Sequence, residues 1–220
     1  MWKMNQKGRN SRSRYDSDCL FRITDKEKKM AILPAIESRR AFRALATDPI
    51  SPEVLTRLAE AAHLAPSSGN NQPWRIVTVV DQVKLEALKE TLSAGNYWAK
   101  KAPAIAAFVT NPEWSMRLAG RDYAYFELGM AAMAYQLQAV EEGLRVHPIA
   151  GFDSIKARKV LGIPELFTLE VLMVVGYPGD PSDLGEKHQE LEKSVRSRRP
   201  LDEVAAFDSW KECLVPPLKA

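Results

Sequence analysis

Apolar residues recur at helical spacing in several stretches of the chain. Ile32, Leu33 and Ile36, followed by Arg39 and Arg40, predict a short helix with an apolar face and a basic end. Ser51-Pro52-Glu53 reads as a helix start. A serine there accepts from free first-turn amides, a proline has no amide to leave unpaired, and an acid meets the positive end of the helix. Val54, Leu55, Leu58, Ala61, Ala62 and Ala65 keep the period until Pro66. The longest helix is predicted over 122–142, with Gly143 just past its cap. It is apolar around much of its circumference (Phe126, Leu128, Met130, Ala131, Met133, Leu137, Val140). Such a helix belongs either in the core or in a subunit interface. Further helices are predicted over 83–93 and 154–161, the latter ending at Gly162.

Strands are predicted over 75–80, 104–109 and 168–176, each a run rich in β-branched or apolar residues. The stretch 67–73 consists of turn formers, and the tail from Pro178 is polar and interrupted by prolines. No repeat is present. Helices and strands mix without regular strand–helix–strand alternation, which favours an α+β layered fold.

The 220 residues are 45% hydrophobic and 27% charged, a composition that can build a core and that excludes a disordered chain. The net charge of +3, with a pI near 8.8, suggests a polyanion partner until it is divided along the chain. Residues 1–30 hold nine basic and four acidic side chains, a balance of +5. The remaining 22 basic and 24 acidic residues give −2. Residues 1–30 are therefore expected to be a basic, flexible extension, and 31–220 a single domain. Two cysteines far apart and no long apolar run point to a soluble, cytoplasmic protein without a disulfide framework or structural zinc.

The chain has no GxGxxG, no phosphate-binding GxxxxGK[ST] and no GxSxG. His63, His147 and His188 lack metal-pair spacing, so no metal site is expected. Three clusters remain. Arg39, Arg40 and Arg43 bring three guanidinium groups into five residues, enough to hold a phosphate by bidentate bonds, or simply to form a solvated helix end. Residues 65–74 offer many small and amide side chains, or simply connect a helix to a strand. Arg196, Arg198 and Arg199 form either a third anion-binding group or a charged surface turn.

In order and spacing these stretches resemble the nitroreductase-like flavoprotein family over about residues 31–205. The stretches are AIESRRAFRAL, APSSGNNQPWRIVTV, GMAAMAYQLQAVEEGLRVHPIAGFD, RKVLGIPE with LEVLMVVGYP, and RSRRPLDEV. The resemblance implies a three-layer fold around a mostly antiparallel sheet, an intertwined homodimer, and FMN at the subunit interface. It also implies that Arg39, Arg40 and Arg43 reach the flavin phosphate, ribityl chain and pyrimidine edge, with Arg43 near N1/O2. Ala41 stands where relatives often carry a serine. Pro66, Ser67, Ser68 and Asn70 approach from the partner, and Pro148 leads into a turn whose Ala150 and Gly151 amides face flavin N5. Arg196 and Arg198 complete the phosphate site. The implied activity is ping-pong hydride transfer from NAD(P)H through FMN to a nitroaromatic, quinone or similar acceptor, with no catalytic side chain. Trp74, Tyr97, Trp98, Trp114, Tyr123 and Phe126 are candidates for the acceptor pocket or for the core. Two other functions stay open: a specialised flavoenzyme of the same fold (flavin destruction or reductive dehalogenation), and polyanion binding through the basic extension.

Overall fold

The computed structural model describes residues 32–215; the basic segment 1–30 lies outside them. The chain forms two compact units, one of Leu33–Ser194 and another whose described residues are Ile32 and 195–215.

In the larger unit the order is α1 (Pro34–Ser38), α2 (Pro52–His63), β1 (Trp74–Val79), α3 (Gln82–Lys89), β2 (Ala104–Thr110), the small hairpin β3 (Arg117–Leu118) and β4 (Arg121–Asp122), α4 (Tyr123–Glu141), β5 (Arg145–Ile149), α5 (Ser154–Leu161), β6 (Thr168–Gly176) and α6 (Glu186–Lys193). Four strands make one sheet in the order β1-β2-β6-β5, every pair antiparallel. Because strand side chains alternate, β2 feeds both faces. Ala104, Ala106 and Phe108 pack toward α2 and α4 with Leu58, Leu128 and Tyr135. Ile105, Ala107 and Val109 pack toward α3, α5 and the 3₁₀ segment Ala94–Lys101 with Leu85, Leu88 and Trp98. This is the three-layer α+β architecture that the resemblance implies.

Several elements stand where the pattern places them. Ser51 Oγ accepts from Val54 N–H at 3.4 Å, with Pro52 in the first turn of α2. Gly143 and Gly162 follow α4 and α5 with φ of +71° and +67°, a conformation glycine adopts without steric cost. Arg57 grips Glu142 through two 2.7 Å bonds, tying α2 to the end of α4 and holding the Glu142 carboxyl down to about 2.

Four elements differ from expectation. α1 is only five residues long, so Arg39 caps it and Arg40 lies beyond it rather than both closing a longer helix, and Leu33 and Ile36 stay exposed. The 83–93 helix stops at Lys89, and a 3₁₀ segment follows shortly after it. Residues 145–149, containing Pro148, form a strand, which is possible because β5 is a sheet edge with one partner to satisfy. The polar tail contains α6, anchored by the contacts described below.

Candidate functional site

The segment after α1 runs along the end of the sheet. Ala46 N–H donates to Tyr177 O at 2.9 Å, and Gly179 N–H to Ala44 O at 3.0 Å, strapping residues 44–46 to the chain leaving β6. The basic residues upstream are thereby held against β5, α4 and α6. Arg39 Nη1 donates to Gln136 Oε1 at 3.4 Å. Arg40 Nη2 donates to Leu191 O and Ser194 Oγ at the negative end of α6. The guanidinium groups of Arg40 and Arg145 lie 4.9 and 4.2 Å from the centre of the Phe42 ring. Glu192, nearly buried, accepts from Arg43 N–H at 2.7 Å and faces Arg145 at 3.6 Å. These contacts frame a cavity of about 180 Å³ lined by Arg39, Arg40, Phe42, Gln136 and Arg145.

The Arg43 guanidinium differs from its neighbours. It has no hydrogen-bond or ion-pair partner among the described residues. It lies near His147 and His188, and its charge helps to lower the pKa of both. His147 is pushed down to about 4, mainly by burial, and is neutral at pH 7. Its Nδ1 is 3.1 Å from Phe42 O. A carbonyl only accepts, so Nδ1 carries the proton and donates it. The ring packs on Trp98 with centroids 4.5 Å apart, and Trp98 Nε1 is buried without a hydrogen-bond partner among the described residues.

This histidine makes stability pH-dependent. The unfolded chain takes up a proton near the ordinary pKa of 6.5, whereas the folded chain resists until about 4. Stability contributed by His147 is therefore full above pH 6.5 and falls as the pH drops toward 4, by roughly 2 kcal/mol between pH 7 and 5. Urea unfolding of wild type and His147→Gln at both pH values should show a smaller pH-dependent loss in the variant. Identical losses would place the titration elsewhere.

Directly after His147, Pro148 leads to Ile149 and then to the turn at Ala150 and Gly151. Gly151 O accepts from Ser93 N–H at 2.9 Å and from Asn96 Nδ2 at 2.8 Å. His147 thus connects the Arg43 cation to Trp98 and to the 3₁₀ segment that also carries Asn96, whose side chain holds the Gly151 carbonyl.

The 66–72 loop is built elsewhere. Gly69, Asn70 and Gln72 all have positive φ, and Gln72 N–H donates to Ser67 Oγ at 2.9 Å. Ser68 N–H donates to Glu127 Oε1 at 2.8 Å, and Ser115 Oγ donates to Glu127 Oε2 at 2.6 Å. Glu127 is only 2% exposed, so one buried carboxylate near the start of α4 holds both segments. Arg39, by contrast, reaches α4 at Gln136. Nine residues of α-helix separate Glu127 from Gln136 by about 14 Å along the axis. Within one chain the loop carrying Pro66, Ser67, Ser68 and Asn70 and the arginine segment therefore attach to different stretches of α4.

Other candidates fall as follows. Ala41 and Ala150 are exposed, and neither carries a side-chain donor. In the smaller unit Arg198 Nη1 donates to Ser197 O at 2.7 Å, and Arg199 lies 3.9 Å from Glu203. Trp74 and Trp98 are core residues, Trp114 and Tyr123 are half-buried, and Tyr97 and Phe126 are exposed. The Tyr97 hydroxyl lies 3.0 Å from His188 Nδ1 and accepts from Gly185 N–H. Among the described residues no three His, Cys, Asp or Glu side chains group as a metal site, and no helix is long and apolar enough to cross a membrane. Neither periodicity nor motif singles out Asn96, Glu127 or the structural use of His147 along the chain. Only Glu127 leaves a sequence signal, as an acid inside an apolar helix.

Residues 36–177 match the Nitroreductase family model. The chain is 30% identical over 159 residues to the putative NADH dehydrogenase/NAD(P)H nitroreductase of Archaeoglobus fulgidus, covering 70% of this chain and 89% of that protein. It is 28% identical over 187 residues to the NADH dehydrogenase of Thermus thermophilus, covering 68% and 91%. A solved structure described as an oxidoreductase containing FMN superposes with a TM-score of 0.74 at 27% identity, covering 82% of this chain and 93% of that one. The chain belongs to the nitroreductase family and is an oxidoreductase.

Proposed function

We propose that this oxidoreductase binds FMN and works as a homodimer that passes reducing equivalents from NAD(P)H to a small acceptor such as a quinone or nitroaromatic. The observation that carries this reading is the Arg43 cation, unpartnered among the described residues and near His147 of β5, together with the turn after that strand, whose Gly151 N–H makes no hydrogen bond among the described residues. A fixed cation and a fixed amide donor suit the polar edge of a flavin, whose reduced ring gains negative charge. The relatives named for NADH or NAD(P)H support a nicotinamide donor, and the neighbour described as containing FMN supports that cofactor.

In this reading Arg39 and Arg40 hold the phosphate by charge-assisted bonds, and Arg43 balances charge at the ring. Pro148, Ala150 and Gly151 present backbone to the ring edge. Bound FMN supplies the centre that accepts and returns hydride. The protein's part is to orient and to set charge, and no acidic, basic or nucleophilic side chain is assigned a chemical step.

A second copy supplies what one chain keeps apart. Pro66, Ser67, Ser68 and Asn70 attach about 14 Å along α4 from the arginine segment, so the partner's loop is proposed to close the site. The surface for pairing is α4 itself, where Tyr125, Phe126 (63% exposed) and Met133 stand outward. Gly129 lies among them with open space where a Cβ would stand. A glycine inside a helix costs about 1 kcal/mol against alanine, and here it lets a second helix approach closely.

The test is anaerobic addition of NADH or NADPH to FMN-reconstituted protein. Bleaching of the flavin spectrum, restored by a quinone or nitroaromatic with FMN recovered intact, is expected. No bleaching by either nucleotide would refute the reading, and loss of FMN during aerobic turnover would favour a flavin-consuming enzyme.

A further inference from the structure

The turn after β5 is fixed at both of its carbonyls. Ala150 O accepts from Phe152 N–H at 3.0 Å, and Gly151 O accepts from Ser93 N–H and from the Asn96 side-chain amide. A trans peptide sets its N–H opposite its C=O. Holding Ala150 O therefore aims the Gly151 N–H, and holding Gly151 O fixes the other dihedral at the same residue. Asn96 is placed in turn by its own N–H, which donates to Ser93 O at 2.9 Å, while its side-chain amide also reaches Ser93 Oγ at 3.3 Å. The fit requires glycine. A Cβ at position 151 would stand 2.6 Å from Ser93 Oγ and 2.9 Å from Asn96 Nδ2. Two carbonyls are thus satisfied and one amide is left over, at a half-buried position where an unpaired donor is costly.

We infer that Asn96 is a positioning residue whose side-chain amide, acting through the Gly151 carbonyl, aims the free Gly151 N–H at the N5 edge of the flavin. The inference rests on the FMN reading for what occupies the site, but the clamp itself belongs to the protein alone. Its function is orientation. A donor held within a few tenths of an ångström and a few degrees of its target contributes through pre-organisation, which a freely rotating turn loses.

The experiment uses glycine-selective ¹⁵N labelling of the full chain as wild type, Asn96→Ala and Asn96→Asp. The aspartate is nearly isosteric but turns an acceptor toward the Gly151 carbonyl, so it separates the hydrogen bond from mere packing. In wild-type apoprotein the Gly151 amide should give one sharp signal that shifts, and becomes protected from exchange, when FMN is added. In both variants that signal should broaden or exchange at least about tenfold faster, while the glycine signals other than that of the adjacent Gly95 hold. FMN affinity should stay within about threefold, and the rate of anaerobic reduction by NAD(P)H should fall about tenfold or more. An unchanged Gly151 signal with an unchanged reduction rate overturns the inference, as does an aspartate variant that behaves like wild type. Should wild type bind no FMN, the FMN reading fails, yet the apoprotein signals still report whether Asn96 orders the turn.

Discussion

Replacing Gly179 with alanine is expected to destabilise the larger unit by about 3 kcal/mol, the upper end for forcing atoms into a packed site. The added Cβ would stand 2.4 Å from the Leu45 carbonyl carbon and 2.6 Å from Ala46 N and Leu45 O. All three are backbone atoms, so no side-chain rotation relieves the overlap. Relief requires residues 44–46 to lift away, which breaks the 3.0 Å bond from Gly179 N–H to Ala44 O and the 2.9 Å bond from Ala46 N–H to Tyr177 O. The strap carries Arg39, Arg40 and Arg43 upstream, so any Gly179→Ala protein that still folds should also bind the flavin weakly. Urea unfolding measures the first effect, and a loss below about 0.5 kcal/mol would show that the strap yields without breaking these bonds.

Glu127→Ala should be nearly as costly, at about 3 kcal/mol. The carboxylate is buried and accepts from Ser68 N–H and Ser115 Oγ. Its removal leaves the half-buried Ser68 amide without its acceptor, at about 1–3 kcal/mol, and adds the penalty of a small cavity. Glu127→Gln separates these effects. Its oxygen still accepts from Ser68 N–H, and its amide donates to Ser115 Oγ, whose hydrogen rotates away, so the expected cost is only about 1 kcal/mol. The alanine variant should also free the 66–72 loop, giving fast amide exchange at Ser68. Equal losses for alanine and glutamine would mean that packing, not hydrogen bonding, explains this residue.

What the sequence made legible follows from how each element is stabilised. β6 (Thr168–Gly176) was readable to its ends because a strand covered on both faces must be a continuous apolar run. α2 was readable because serine, proline and glutamate mark its start chemically. β5 was hidden, since it carries Pro148 and needs only one neighbour. α6 was hidden because no apolar stripe marks it: Arg40 holds it through Leu191 O, and Arg43 N–H through Glu192, partners about 150 residues away in sequence. The same long-range polar contacts accompany the departure of Arg39 and Arg40 from the helix that their spacing suggests, as their side chains reach Gln136 and the end of α6.

The candidate site divides the same way. Arg39, Arg40, Arg43 and the 66–70 loop stand out as unusual local composition, and their likeness to a known family makes them interpretable. Asn96 and His147 are ordinary residues in ordinary surroundings along the chain. Only folding brings one to the Gly151 carbonyl and the other to the Phe42 carbonyl.

Fluorescence titration of flavin-free protein with FMN tests whether the flavin binds beside Arg43. Quenching that saturates at one FMN per chain, weakened at least about tenfold (about 1.4 kcal/mol) in a folded Arg43→Ala variant, is the predicted result. Unquenched FMN fluorescence in the presence of folded, dimeric protein would contradict it.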